Sequence, residues 1–312
     1  MKSGVIVLLS VCLALWLGFA HADNDAAPAP STQAKAPKAP NRGTLFRVRH
    51  RGNTAYLFGT IHVGKPAFFP LEDEVTRALS GARKLVLEID IRKPEPFQLA
   101  LNKHGIYPVG ESVDRHLSPD TLVRLRRALD DAGILFADVM HLKPWLLANM
   151  LVGLDLERNG YQRSHGIEVF LLSLADKQAK DVHELESAEY QMSLFDSMPD
   201  EMQEQYLREN LAELGDGNAL KKAQALIDAW ANANGDAVEA FMRESLLEKT
   251  TSGDFMQRVL LDKRNPEMAS KIEELLREDE TAFVGVGLLH MVGETGVPTL
   301  LRQRGYEVEK LY

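Results

Sequence analysis

The two ends of this 312-residue chain carry the same short framework. Near the start an apolar run leads into Gly59-Thr-Ile-His62, and near the end another leads into Gly287-Leu-Leu-His290. In both cases a proline lies eight residues after the histidine and begins an amphipathic helical stretch, a glycine closes that stretch, and another β-like run follows. Each end is therefore predicted to form a strand, a Gly-x-x-His motif, a helix and a second strand.

This repeat restricts where the histidines can lie. In an open α/β sheet, residues just past the carboxyl ends of strands gather around ligands. If the two units pair about a pseudo-twofold axis, His62 and His290 converge on one cleft. Glu88 ends the second strand of the first unit, and a strand parallel to the first brings its carboxylate to the same edge. The sequence therefore predicts one site built from His62, Glu88 and His290.

The chain between the two units is mostly helical. Apolar side chains recur at helical spacing over about residues 115–280, and one short β-like run, Asp181 to Leu185, interrupts them. The predicted fold class is α/β, with a central sheet formed by N- and C-terminal βαβ-like repeat units and a large, mostly helical middle insertion.

The first 22 residues have the three parts of a cleavable signal peptide. Lys2 lies before an apolar run from Val5 to Phe19, and the small-residue site Ala20-His21-Ala22 follows. The run is about 15 residues, shorter than the roughly 20 that span a bilayer. Acylation of Cys12 fits less well, because Val11 occupies a position where a small residue is expected. We expect a periplasmic or secreted protein with no stable membrane span after cleavage.

Residues 23–43 are rich in Ala, Pro and polar groups and lack large apolar side chains, so they are predicted to be a disordered tether before a domain at 44–312.

Cys12 is the only cysteine, so the cleaved chain has neither disulfides nor a thiol nucleophile. Loss of Lys2 leaves 35 of 36 basic residues against 45 acidic ones, a formal charge of −10. This acidity, without a basic stripe, argues against nucleic-acid binding. The oligomeric state stays open.

These motifs resemble the TraB/GumN family, which includes the pheromone-shutdown proteins and the Tiki proteases. The likeness covers nearly all of residues 44 to 312. It implies an α/β core similar to the erythromycin-esterase and ChaN-like fold, with a site that falls here on His62, Glu88 and His290. Besides the two Gly-x-x-His motifs, the likeness rests on Val86-Leu-Glu88, Lys143-Pro144-Trp145, Leu185-Glu186 with Gln191, Ala229-Trp230, Arg264-Asn265 and Gly305-Tyr306.

The resemblance also implies a hydrolase. Tiki members are metal-dependent proteases, so the leading hypothesis is an exported peptidase-like enzyme in which His62, Glu88 and His290 hold a divalent ion, Mn, Co or Zn. The ion would activate water for attack on a peptide or a small ester or amide. The esterase relatives use His and Glu without an obligatory metal, and ChaN-like relatives bind haem. A metal-independent esterase-type hydrolase and a non-catalytic haem- or peptide-binding protein are the alternatives.

Arg264 and Asn265 are further candidates for the site, at a predicted helix junction before Pro266. Arg264 could hold a carboxylate or a tetrahedral oxyanion, while Asn265 could cap the helix or reach into the site. Glu186 follows the β-like run of the middle. We expect it to be an acid at the start of the helical segment that opens at Ser187, with a second carboxylate at the sheet edge as the alternative.

Export is expected to remove residues 1–22 and to leave Asp23 as the first residue, because the Ala20-His21-Ala22 site offers small residues at the two positions that signal peptidase reads. N-terminal sequencing of the protein recovered from a periplasmic or culture fraction checks this. Retention of Met1, or a lipid on Cys12, would contradict it.

Overall fold

The computed structural model describes residues 39–278 and 280–312. The predicted signal peptide and the predicted tether up to residue 38 lie outside the described residues. Within the described part, no helix combines the length and apolarity needed to cross a bilayer.

The centre of the described fold is a six-stranded mixed sheet, and its strands coincide with the β-like runs of the sequence. The strands are β1 (Leu45–His50), β2 (Asn53–Thr60), β3 (Lys84–Leu87), β4 (Asp181–Glu184), β5 (Ala282–Gly287) and β6 (Glu307–Lys310). Their spatial order is β4-β3-β5-β2-β1-β6. The first four in this order run parallel, and β1 is antiparallel to both of its neighbours. The predicted α/β class is confirmed, although β4 shows that the helical middle also contributes an edge strand.

Helices fill the rest of the described chain, chiefly between β3 and β5. The α-helices are α1 (Asp73–Gly81), α2 (Pro94–His104), α3 (Pro119–Ala132), α4 (Phe136–Val139), α5 (Pro144–Arg158), α6 (Ile167–Lys177), α7 (Ala188–Asp196), α8 (Asp200–Gly215), α9 (Asn218–Ala231), α10 (Gly235–Leu247), α11 (Thr251–Phe255), α12 (Arg264–Leu275) and α13 (Val297–Gln303). A π-helix, Met256–Asp262, connects α11 to the start of α12.

The two repeat units place their helices on opposite faces of the sheet. Val75 and Leu79 of α1 belong to the larger core, which lies under most of the helical middle. Val297 and Leu301 of α13 belong to a smaller core on the other face, which α12 also covers. This arrangement is what two units related by a pseudo-twofold axis along the strands would produce, because such a rotation keeps strand direction and exchanges the faces.

Both faces of the central strands are buried, and successive side chains alternate between them. In β2, Phe58 lies in the larger core and Leu57 in the smaller one. Trp145 and Trp230 are fully buried in the larger core. Nε1 of Trp230 also donates a hydrogen bond to the carbonyl of Gly59 at 2.9 Å, so a core residue of α9 supports the first Gly-x-x-His motif.

The last residues of the segment that composition assigned to the tether are part of the fold. The guanidinium of Arg42 is within hydrogen-bonding distance of the carbonyls of Ala67 and Pro70, at 3.3 and 3.4 Å. The amide of Gly43 donates to the carbonyl of Trp230 at 2.6 Å. Composition could not reveal this docking, because it uses polar groups of the backbone and a guanidinium rather than apolar surface.

A buried carboxyl group joins this N-terminal segment to the end of the chain. Glu72 is fully buried, and its Oε1 accepts from the amide of Arg42 at 3.4 Å and from the hydroxyl of Tyr312. Burial raises the pKa of Glu72 to about 7, against the lowering effect of backbone hydrogen bonds and of the Arg42 charge. The folded chain therefore holds a proton here that the unfolded chain releases near pH 4.5.

Glu72→Gln is expected to remove a pH dependence of stability. Because the folded pKa is raised, the wild type loses unfolding free energy as the pH rises from about 4.5 through 7, by up to about 3 kcal/mol. The variant stays neutral, so its stability relative to wild type should increase over that window. Urea denaturation at a series of pH values measures this, with Asp73→Asn at the exposed neighbouring position as the control. A difference between variant and wild type that does not change with pH would refute it.

Candidate functional site

The ends of β2 and β5 bring the two Gly-x-x-His motifs side by side. These strands are parallel neighbours, and Gly59 lies opposite Val286, the residue before Gly287. The first glycines of the motifs are thus one residue apart in register. His62 and His290 consequently follow the same edge of the sheet, as the repeat predicts.

Glu88 reaches this edge from the neighbouring parallel strand. It comes directly after Leu87, the last residue of β3, and β3 pairs with β5. Its Oε1 accepts a hydrogen bond from the backbone N–H of Gly287 at 2.6 Å. Its Oε2 accepts from Gln191 at 3.0 Å and from the guanidinium of Arg264. The carboxylate is therefore fixed to the start of the second motif.

One buried guanidinium connects two carboxylates. Nη2 of Arg264 lies 2.5 Å from Glu88 and 2.6 Å from Glu186, and Nε also donates to Glu186. The amide of Gln191 donates to Glu186 at 2.8 Å. Our expectation for Glu186 is therefore corrected. Ser187 caps α7, and Glu186 turns inward because a buried guanidinium requires anionic partners.

The ion pair between Glu88 and Arg264 keeps both of these groups charged. Burial raises the pKa of Glu88, but opposing effects, of which the charge of Arg264 is the largest, outweigh it, and the net pKa lies far below its ordinary value. Burial lowers the pKa of Arg264, but the carboxylates of Glu88 and Glu186 outweigh that effect and raise it overall. Glu88 is therefore a carboxylate at neutral pH.

The start of α12 delivers two adjacent residues to the site. Arg264 and Asn265 are both buried, and one residue, Lys263, separates them from the π-helix. Arg264 is also tied to that segment, since its Nη1 donates to the carbonyl of Leu260 at 3.3 Å. Wide π-helical turns are uncommon and are frequent at functional sites. Arg264 pairs with the protein's own carboxylates, and its role toward a substrate carboxylate or an oxyanion stays a prediction.

Asn265 holds the second histidine in one orientation. Its Nδ2 donates to the carbonyl of Thr295 at 2.8 Å, which turns Oδ1 toward Nδ1 of His290, 2.5 Å away. Because an amide oxygen only accepts, the proton of this imidazole is on Nδ1. Asn265 therefore reaches into the site and positions His290.

The other ring nitrogen of His290 faces Glu88. Nε2 lies 3.8 Å from Oε1 of Glu88, and within residues 39–278 and 280–312 it has no hydrogen-bond partner. Burial, reinforced by the charge of Arg264, lowers the pKa of His290 to about 3. The imidazole is consequently neutral at pH 7 and presents a buried lone pair on Nε2.

His62 contacts a carboxylate that the sequence did not single out. Its Nδ1 lies 2.8 Å from Oε1 of Glu168, and the hydroxyl of Thr60 donates to the same oxygen at 2.5 Å. Burial raises the pKa of Glu168, but its contacts with His62 and Thr60 lower it overall. Glu168 lies in the first turn of α6, where an acid commonly complements the helix dipole, so nothing in the sequence pattern distinguished it.

The three residues predicted as metal ligands thus share one edge of the sheet but differ in their contacts. Glu88 and His290 approach each other directly, whereas Nδ1 of His62 lies beside Glu168. In the described parts of the chain, no three His, Cys, Asp or Glu side chains already stand around one point in the arrangement of a metal site.

Residues 44–310 match the model of the TraB/PrgY/gumN family. The chain is 27% identical over 255 residues to an uncharacterized protein, YbaP, of Escherichia coli (strain K12), which is 79% of this chain and 87% of that protein. It is 26% identical to the metalloprotease TIKI2 of Xenopus tropicalis, over 90% of this chain and 62% of TIKI2. With the human metalloprotease TIKI1 the identity is 23%, over 97% of this chain and 68% of TIKI1. No solved structure matches the chain.

Arg264→Met is expected to lower the free energy of unfolding by about 3–5 kcal/mol at pH 7, because Glu88 and Glu186 would remain buried without a counter-charge. Urea denaturation measures the loss. Arg124→Met is the matched control, since Arg124 forms an exposed ion pair with Asp120 within α3, and its removal should cost less than about 1 kcal/mol. Equal effects of the two substitutions would show that the buried ion pairs do not hold the fold together.

Proposed function

This chain belongs to the TraB/PrgY/gumN family, and we propose that it is a hydrolase of the metalloprotease type whose active site lies at the ends of β2, β3 and β5. The relatives that are named metalloproteases support a protease-like hydrolase. We propose further that the protein is exported and acts on a peptide or a small ester or amide. The signal-like sequence of residues 1–22 supports export.

The observation that carries this proposal is the lone pair on Nε2 of His290. The imidazole is neutral, Asn265 engages its Nδ1, and Nε2 faces the carboxylate of Glu88 across 3.8 Å. A buried acceptor of this kind is costly unless it meets a hydrogen-bond donor or an electrophile. The site therefore holds a nitrogen lone pair that can bind a cation or accept a hydrogen bond.

The balance of charge favours a cation. Glu88, Glu168 and Glu186 are three largely buried carboxylates, and among the side chains that contact them in the described structure only Arg264 carries a permanent positive charge. His290 is neutral. Even if His62 is protonated, one negative charge remains uncompensated. Buried charges are normally paired or coordinated to a metal, so a divalent ion would complete this balance.

The donor chemistry fits such an ion. Imidazole nitrogens and carboxylate oxygens are ligands of Mn, Co and Zn, and here His62, Glu88 and His290 would hold the metal. When bound, the metal would supply Lewis-acid polarisation of a carbonyl and a water of lowered pKa. Arg264 and Gln191 keep Glu88 charged and oriented, and Asn265 keeps the Nε2 lone pair of His290 directed at Glu88.

A metal-independent hydrolase is the second candidate, and specific features favour it. Oε2 of Glu88 is already engaged by Arg264 and Gln191. The pair of His62 and Glu168 has the composition of a general base with its orienting carboxylate, which could take a proton from water. In that scheme Glu88 and Arg264 organise the site, and His290 accepts a hydrogen bond from the water or the substrate.

His62→Ala and His290→Ala are each expected to lower kcat/KM by about 10²- to 10⁴-fold, because both schemes need these imidazoles at the reacting water. The measurement uses a panel of fluorogenic peptides and p-nitrophenyl esters. The exposed His183, replaced by Ala, serves as the control and should leave turnover unchanged. Unchanged turnover in both site variants would place the active site elsewhere.

Metal removal separates the two schemes. Protein purified without added metal is expected to contain about one divalent ion per chain by elemental analysis, and a chelator should abolish turnover until the ion is restored. Turnover that survives chelation would support the metal-independent scheme. A Soret band together with no turnover on the whole panel would indicate a haem-binding protein and overturn both schemes.

A further inference from the structure

Each of the two motif histidines has a different residue beside its Nδ1. Asn265 engages Nδ1 of His290, and Glu168 lies 2.8 Å from Nδ1 of His62. The repeat that supplies the histidines does not supply these partners, which come from helices α12 and α6. Glu168 therefore lies beside Nδ1 of His62, as Asn265 lies beside Nδ1 of His290.

The contact defines which nitrogen of His62 carries the proton. The oxygen of Glu168 that faces Nδ1 is an acceptor, since it also accepts a hydrogen bond from the hydroxyl of Thr60 at 2.5 Å. A lone pair on Nδ1 at 2.8 Å from a carboxylate oxygen would be repelled, whereas an N–H at that distance is attracted. In the neutral ring, a proton on Nδ1 places the lone pair on Nε2.

Resting on the proposed function, we infer that Glu168 is a positioning residue that keeps the proton of His62 on Nδ1 and so presents Nε2 to the reacting water or to a metal. Both motif histidines then offer the same ring nitrogen to the site. Outer carboxylate or carbonyl partners of this kind orient metal-binding imidazoles and make them stronger donors.

The backbone around Glu168 supports such a role, because it is braced directly against the first motif. The amide of Ile167, the preceding residue, donates to the carbonyl of Ile61 at 3.0 Å. Gly64 and Gln162 form a two-way backbone bridge, with N–O distances of 2.9 and 2.8 Å. At Gly166 an added Cβ would lie 2.7 Å from the carbonyl oxygen of His62. The start of α6 therefore has little freedom to move relative to His62.

Thr60 fixes the carboxylate itself. Its hydroxyl donates to the same oxygen that faces His62, and Thr60 is the last residue of β2. The strand end, the histidine two residues later and the first turn of α6 are thus joined through one oxygen atom. If Glu168 only complemented the dipole of α6, its Oε1 would not have to contact both the hydroxyl of Thr60 and the imidazole of His62.

The rival explanation is that Glu168 contributes only to the stability of α6. Nuclear magnetic resonance of ¹⁵N-histidine-labelled protein separates the two, because long-range ¹H–¹⁵N correlations report which ring nitrogen is protonated. The signals of His62 are assigned by their loss in His62→Ala. The wild type is expected to show His62 protonated on Nδ1. A proton on Nε2 alone would overturn the inference and leave the proposed function in place.

Two substitutions of Glu168 test the role directly. Glu168→Met removes the acceptor and should abolish the Nδ1–H signature, whereas Glu168→Gln keeps an acceptor oxygen and should retain it. Glu189→Met is the matched control, because Glu189 lies 3.3 Å from Nε2 of His104 outside the site, and it should change only the His104 signals. An unchanged His62 signature in folded Glu168→Met would also overturn the inference.

Zn²⁺ titration of the metal-free protein adds a binding readout. Glu168→Met is expected to weaken Zn²⁺ binding by about 10- to 100-fold, and Glu168→Gln by less. Equal affinity of wild type and folded Glu168→Met would refute the positioning role. If the wild type binds no Zn²⁺, the proposed metal loses support, while the tautomer of His62 still decides the inference.

Discussion

The ion pairs of Arg264 with Glu88 and Glu186 are the interaction on which the candidate site depends. They join the end of β3, the residue before the cap of α7, and the start of α12, which lie far apart in the sequence. In a protein interior an isolated charge is so unfavourable that none of these side chains could be buried without the others. The N–H of Gly287 adds the end of β5 to the same network through Glu88. The edge of the sheet and the helices above it are therefore set relative to each other by electrostatics as well as by packing.

The helical middle supplies what the repeat lacks. Two similar units place two histidines at neighbouring strand ends, and a symmetric pair would give them similar surroundings. Helix α12 instead brings an amide and a guanidinium to His290, whereas α6 brings a carboxylate to His62. One imidazole is consequently neutral and a weak base, and the other has an anionic partner. Such a difference between two chemically identical side chains is what a hydrolytic site needs if one is to bind and the other to transfer a proton.

Much of this architecture could be predicted from local patterns. The runs around Leu57, Val86 and Val284 are apolar on both faces, which predicts buried parallel strands, and the Gly-x-x-His motifs mark where two of them end. Ser118-Pro119 marks the start of α3 because a hydroxyl can cap the first turn and a proline needs no hydrogen bond there. Glu186 and Glu168 could not be assigned in this way. Both lie beside helix starts, where an acid usually complements the dipole, and their actual partners are 78 and 106 positions away, at Arg264 and His62.

The sequence by itself determined the class of fold, the pairing of two motifs at one sheet edge, and the identity of three residues there, because strand and helix periodicities and a repeated motif are local properties of the chain. Only the tertiary structure decided which side chains surround those residues and in which state of protonation. The pKa of His290 depends on its burial and on Arg264, and the orientation of His62 depends on a carboxylate from α6. Such effects arise from contacts between distant segments in a medium of low dielectric, where a neighbour within a few ångströms outweighs any intrinsic preference of the side chain.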